Sequence, residues 1–153
     1  MDEPPAKRMR PPAGDDEESK ALAAIKQAAA LHGLDISGGK VRRTSSRFCL
    51  GVEHGDYNGT ELFGVGTDRF IWMAFKPNDS GRIRLVSYNF PDEGVVEFAP
   101  GSTTELLSAE EREAASWKQF PLGVDFVLTK HGFPLTTGFD AAIYGNIPGR
   151  HPV

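Results

Sequence analysis

The sequence predicts an α+β fold, with a mixed or antiparallel sheet backed by helices. Short runs rich in β-branched and aromatic residues, such as 69–75 and 82–88, are separated by glycine- and proline-marked turns. Two other stretches, one alanine-rich after Ser19 and one opening at Ser108, carry apolar residues at helical spacing. At 153 residues the chain can bury one real core but not two substantial ones.

Residues 1–18 are expected to be a disordered tail, and residues 19–153 the folded domain. The tail starts basic and proline-rich, Pro4-Pro5-Ala6-Lys7-Arg8-Met9-Arg10-Pro11-Pro12, and turns acidic at Asp15-Asp16-Glu17-Glu18. Prolines fix φ and remove donors, and almost no large apolar side chain is available to bury. Lys7-Arg8-Met9-Arg10 reads either as a nuclear-import signal or as solvated charge without a partner. Ser19 then opens a helix in which Leu22, Ile25, Ala29 and His32 recur at helical spacing. The preceding acids suit the positive end of its dipole, and Gly33 is its stop.

Strand-like runs come next. Residues 40–50 mix basic and apolar side chains, and 69–75 is continuous and aromatic, as a well-buried strand would be. Lys76-Pro77-Asn78-Asp79-Ser80-Gly81 has turn composition, 82–88 begins as an alternating strand, and 95–98 is a short one. An antiparallel meander is the natural expectation. Ser108 with Glu111 makes a capping-box pattern. Pro121 argues against one unbroken helix to His131, so the helix kinks there or a new one begins. Phe120, Val124, Val127 and Leu128 form its expected buried face, with Trp117 in the same core, and 138–144 is a final strand.

A net charge of -4 gives no global attraction to nucleic acid. The single cysteine, Cys49, excludes an internal disulfide framework and a cysteine-based zinc site. No apolar run is long enough to cross a bilayer, and the N-terminus is charged rather than signal-like. A cytoplasmic protein is expected, with the basic tail as a route to the nucleus. The sequons at Asn58 and Asn78 mean little without a secretory signal.

Chemistry concentrates in Glu53-His54-Gly55-Asp56-Tyr57-Asn58-Gly59. Ionised carboxylates accept from hydroxyls, Asn offers donor and acceptor, and His serves as either. Gly55 and Gly59 permit positive φ, and Asn58-Gly59 is a tight-turn signal. The leading reading is a sugar- or polyol-binding loop; on residue types alone, a surface turn whose acids face water fits as well. A metal site from these residues is weaker, because only one imidazole is present and no second ligand cluster accompanies it.

The run from Arg47 to Arg69, RFCLGVEHGDYNGTELFGVGTDR, resembles the sugar-binding signature of the galactokinase family within the GHMP kinases. The family pattern there is roughly G-R-V-N-L-I-G-E-H-T-D-Y-N-G-G. Residues 70–76, 81–87, Asn89-Phe90-Pro91, Trp117, Gly123-Val124 and Phe139-Asp140 also fall where that family places similar residues. Gly145-Asn146-Ile147-Pro148 is similar to the lead-in to its ATP loop. The resemblance covers residues 19–149 and implies the fold of the N-terminal part of a GHMP kinase. It implies Glu53, His54 and Asp56 as binders of sugar hydroxyls, Tyr57 as a ring packed on the sugar face, and Asn58 with Gly59 as shapers of the loop. Arg47 matches an arginine beside the transferring phosphoryl group, where its charge would stabilise developing negative charge. A strand arginine paired with Glu53 or Asp56 is the plainer alternative.

Departures from the pattern bear on function. Thr44-Ser45-Ser46 stands in place of Ala-Pro-Gly, Cys49 in place of Asn, and Val52 in place of the Gly before the Glu. After Pro148 the family continues into a glycine-rich loop that cradles ATP phosphates, whereas this sequence reads Gly149-Arg150-His151-Pro152-Val153. Mg-ATP is thus implied by the resemblance while its binding loop is not visible. The expectation is a galactokinase-like protein that binds galactose or a related hexose, in the full family for phosphorylation to galactose 1-phosphate. The alternatives are a non-catalytic galactose sensor or interaction protein, and a fragment of a sugar kinase. A fragment would expose apolar surface and a strand edge, so self-association or a covering protein partner is expected.

Overall fold

The structure, a computed structural model, describes residues 15–51, 55–105 and 107–147. Helix α1 spans Asp15–Leu31, beginning earlier than the expected Ser19 because the acidic quartet occupies its first turn. Carboxylates there face the positive end of the helix dipole, and Lys20 pairs with Asp16 at 2.6 Å. The rest of the expected tail lies outside the described residues. The helix stops as expected at Gly33, where the Leu34 amide donates to Ala29 O at 2.9 Å and buries its side chain.

Among the described residues five strands form one sheet: β1 (Lys40–Gly51), β2 (Phe63–Pro77), β3 (Ile83–Ser87), β4 (Val96–Phe98) and β5 (Phe139–Gly145). Their order is β1-β2-β5-β3-β4, with only the β3–β5 pair parallel. The sheet is therefore mixed, and the expected antiparallel meander fails at one point: β5 inserts between β2 and β3. Side-chain content explains the insertion. In β5, Asp140, Ala141 and Ala142 are buried, and in β3 Ile83, Leu85, Val86 and Ser87 are buried, so both strands need cover on two faces. The long β1 is exposed along nearly its whole length and takes an edge.

Alternation along the strands builds two apolar layers. One face presents Trp72, Ala74, Val86 and Ala142 to Ala21, Ile25, Ala28 and Ala29 of α1, whose small side chains let the helix lie close. The other presents Ile83, Leu85, Val96, Phe98 and Ala141 to Trp117, Leu122 and Leu135. The stretch 69–75 is thus not uniformly buried: Trp72 is 1% exposed while Ile71 is 39% exposed.

On the second face, α2 (Ala109–Ala115) starts with the predicted capping box, Ser108 accepting from the Glu111 amide and Glu111 accepting from the Ser108 amide. Ser116, at φ +50°, breaks it, and α3 (Gln119–Lys130) begins anew. Pro121 sits in the first turn of α3, where no amide donor is needed. The expected inner face of α3 is wrong. Phe120, Val124 and Val127 are 69%, 55% and 50% exposed, while Leu122 and the fully buried Asp125 point inward. Asp125 decides the rotation: its carboxylate accepts from the amides of Gly101 at 2.8 Å and Thr103 at 3.0 Å, tying that loop to the helix.

Asp140 locks the sheet. Arg84 stands opposite it in the parallel register and donates Nε to Oδ1 at 2.8 Å and Nη2 to Oδ2 at 2.6 Å. The Asp35 amide and the Asn78 side chain supply two further donors to the same carboxylate. Beyond them, Lys76 bridges to the Asp35 carboxylate at 2.5 Å. Gly138, two residues before Asp140, is forced: a Cβ there would sit 2.5 Å from Arg82 N and 2.7 Å from Arg82 O. Burial pushes the Asp140 carboxyl up, but the Arg84 guanidinium, the Asp35 amide and Asn78 together hold it below the ordinary range.

Asp140→Ala leaves Arg84 with a half-buried, uncompensated charge and should cost about 3 kcal/mol. For a chain of this length that is a Tm lower by about 6–12 °C in a thermal melt. Because the folded-state value is depressed, this stabilisation is complete above the unfolded carboxylate pKa of about 4. It is lost as pH falls through the lower folded value. Denaturant melts between pH 5 and pH 2, taken as a range of about three units, should show a shallower acid loss for Asp140→Asn than for the parent chain.

Candidate functional site

The β1–β2 pair extends past the sheet. β5 covers β2 only from Ile71 to Pro77 and Asn146 adds Phe70, so among the described residues 63–69 pairs with β1 alone and forms a two-stranded ribbon. Its tip is closed where Gly51 faces Phe63, and residues 52–62 cross between them. Within that crossing the buried Gly55 turns its carbonyl to two amides, Asn58 N and Thr60 N, each at 3.0 Å. The hub winds Asp56–Asn58 into one 3-10 turn, and Gly59 at φ +77° reverses the chain after it. Tyr57 is 73% exposed at the apex.

Of the predicted binding residues, Asp56, Tyr57, Asn58 and Gly59 are brought onto this single short arc. Glu53 and His54 lie outside the described residues. Arg47 is on β1 opposite Gly66, exposed, immediately after an irregularity in pairing between Ser45 and Arg47. Such a bulge re-aims the side chains that follow it. Ser46 and Thr67 staple it through a hydroxyl–hydroxyl contact of 2.5 Å, and Thr67 also receives the Arg69 amide at 3.2 Å. Arg47 has no ion pair among the described residues. Arg43, further back, rests its guanidinium 4.4 Å above the Phe70 ring. Cys49 donates its thiol to Gly51 O at 3.4 Å, a packing role at the ribbon's end.

At the far end of β5 two asparagines extend the ladder with side chains. Asn89 exchanges both bonds with Gly145, at 2.9 Å and 2.8 Å. Asn146 accepts from the Phe70 amide at 2.7 Å and donates to Glu17 of α1 at 3.1 Å. The strand is thereby held on both sides up to Ile147. Beside it, under the exposed α3 ridge, an apolar groove of about 610 Å³ is lined by Ile71, Met73, Phe98, Trp117, Phe120 and Val124. Sequence reasoning expected exposed apolar surface in a fragment but did not place it here, because Phe120 and Val124 read as core and the groove they line with Ile71, Met73 and Phe98 is a non-local feature.

The described residues do not fit a nucleoside triphosphate. Gly64-Val65-Gly66 is ladder-bonded strand, not a loop before a helix. The α1 N-terminus carries acids, and that of α2 is filled by its own capping box. Among the described residues no helix is long and apolar enough to cross a membrane, and no cluster of His, Cys, Asp or Glu could hold a metal ion.

The chain matches no protein-family model. It is 30% identical over 115 residues to the galactokinase of Lactiplantibacillus plantarum, covering 75% of this chain and 28% of that protein. To the galactokinase of Streptococcus thermophilus it is 33% identical over 96 residues, covering 63% of this chain and 23% of that one. The chain thus spans under a third of the length of these curated relatives. In three dimensions it is similar to the galactokinase of Lactococcus lactis solved in complex with galactose, with a TM-score of 0.63 and 25% identity over 83% of this chain and 31% of that one. The Methanococcus jannaschii mevalonate kinase shares the fold, with a TM-score of 0.52, 16% identity, and coverage of 74% of this chain and 34% of that one.

Gly59→Val places a β-branched residue at φ +77° and should strain the turn by about 1–2 kcal/mol. Hydrogen exchange at the Asn58 and Thr60 amides should then quicken by about tenfold, while protection in β3 and β5 stays unchanged.

Proposed function

On the premise that this chain is a homologue of the galactokinases and carries the fold of the GHMP kinases, we propose that it recognises galactose through the ribbon-tip loop. The observation that carries the reading is the Gly55 carbonyl hub, which gathers Asp56, Tyr57 and Asn58 into one turn beside the strand that bears Arg47. Glu53, His54 and Asp56 accept from or donate to sugar hydroxyls, Tyr57 covers an apolar sugar face, and Asn58 with Gly59 sets the loop. Arg47 faces the phosphoryl group in the complete reaction, where a fixed guanidinium stabilises charge on the transferring oxygens. Mg-ATP supplies that group in the galactokinase reaction. No residue described here is assigned to holding it.

A second reading is a galactose-responsive binding protein without turnover. ATP-dependent formation of galactose 1-phosphate by the 153-residue chain would exclude it.

Isothermal titration with galactose, glucose and N-acetylgalactosamine tests the recognition step. Galactose should bind, and Asp56→Ala should weaken it by about tenfold to a hundredfold, the worth of one or two hydrogen bonds to a charged group. Arg47→Ala should change galactose affinity by less than about threefold, since its role lies with the phosphoryl group. Equal affinity of the parent and Asp56→Ala chains, or no heat with any of the sugars, would overturn the assignment.

A further inference from the structure

The sheet has an open edge at β1, which among the described residues is paired on one side only. From Lys40 to Ser45 its register against Phe75 to Phe70 is unbroken, and the irregularity after Ser45 ends the regular stretch. Every residue from Lys40 to Ser45 is exposed, and the stretch spans about 20 Å of strand. In an antiparallel pair alternate residues turn their amide and carbonyl away from the partner, so this stretch offers unpaired backbone groups. Charge is the second feature. Lys40, Arg42 and Arg43 lie here with no acid among them, and β2 opposite carries no charged side chain from Phe70 to Phe75. None of the three makes an ion pair among the described residues. Arg42 donates to the Val41 carbonyl at 3.0 Å, and Arg43 rests on the Phe70 ring. In a chain of net charge -4 this is a local reversal of sign.

Register divides these cations between the two sheet faces. Lys40 and Arg42 stand opposite Phe75 and Met73 on the α3 side, and Arg43 stands opposite Trp72 on the α1 side. A strand added at this edge therefore meets positive charge on both of its faces, at successive positions. We propose that β1 from Lys40 to Ser45 binds, by strand addition, an extended polypeptide segment carrying a contiguous run of acidic residues. Backbone bonds supply the affinity, and consecutive carboxylates select the segment. Opposite charges directly across a strand pair attract, while like charges repel. The same rule turns away a second copy, because β1 against β1 would crowd these cations together. The other edge, β4, is three residues long, and its Glu97 is already paired with Arg82 at 2.6 Å. A nucleic acid would use the charge but leave the backbone groups unpaired. The inference is independent of the sugar-binding reading, since residues 40–45 lie at the opposite end of β1 from the Asp56–Asn58 turn.

The test uses the full chain and the capped peptide Thr-Val-Glu-Glu-Glu-Val-Thr as probe. At low salt the peptide should shift the amide resonances of Val41 to Ser45, slow their hydrogen exchange and leave those of β4 in place. Lys40→Glu with Arg42→Glu should weaken binding by about tenfold with Tm unchanged, because both side chains are exposed. The lysine counterpart, Thr-Val-Lys-Lys-Lys-Val-Thr, should bind that variant and not the parent chain. Thr-Val-Glu-Pro-Glu-Glu-Thr keeps the charge but breaks the ladder, and should bind the parent about tenfold more weakly. No binding of the acidic probe, or equal binding of the proline peptide, would overturn the proposal. An oligonucleotide that binds as tightly and gives the same shifts would also overturn it, assigning the patch to polyanions in general. So would β1 shifts that grow with protein concentration without peptide, which would assign the edge to a second copy.

Discussion

The cross-strand pair of Asp140 and Arg84 sets the geometry on which the rest of the sheet depends. A parallel pairing between strands distant in sequence receives no help from a turn, so side chains must fix its register. Slipping β5 by one residue against β3 would turn a carboxylate with four donors into the apolar layer under α3 and bring Ala141 to face a guanidinium. The same carboxylate reaches the turn after α1 through the Asp35 amide and the turn after β2 through Asn78. One buried charge thus ties four segments, and its depressed proton affinity records how well the donors offset burial.

At the opposite end of β5 neutral amides do the corresponding work. Asn89 and Asn146 continue the ladder on either side of Gly145 after the backbone pairing stops. Among the described residues the ribbon beyond this point has no third strand, and its faces expose Phe48, Leu50, Phe63 and Val65. A two-stranded ribbon is marginal by itself in water. The stapled bulge at Ser46 and Thr67 and the Gly55 hub are therefore the local devices that hold the site's shape, and the loop's order is set separately from the stability of the core.

Much of this was readable from residues. The capping box at Ser108, the stop at Gly33, the turn at Asn58-Gly59 and the small-residue helix after Ser19 each rest on local chemistry, and each stands close to where the sequence put it. Non-local facts were not readable. β5 is an apolar run like any other until its two-sided burial is seen. Asp125 looks like a solvent-facing acid until the Gly101 and Thr103 amides are found pointing at it, and that one side chain turns Phe120 and Val124 outward. In the site, turn chemistry revealed the arc 56–59, whereas the spatial relation of Arg47 to that arc depends on a bulge that no residue spacing announces.

Hydroxyl recognition and phosphate handling draw on different parts of such a fold. Hydroxyls need short polar side chains on a tight arc, which a few residues between glycines can supply. Phosphates need several unpaired amides converging with a positive field, which a helix N-terminus supplies if it is left open. Here the helix starts are already committed. The Asp16 and Glu17 carboxylates stand at that of α1, Ser108 and Glu111 close that of α2, and α3 continues from a 3-10 turn that shares its amides. Opening the α2 start alone would cost about 1 kcal/mol of cap and would set Glu111 against the incoming anion. The described residues therefore supply the tight polar arc that hydroxyls need, while the open helix start that phosphates need is not among them.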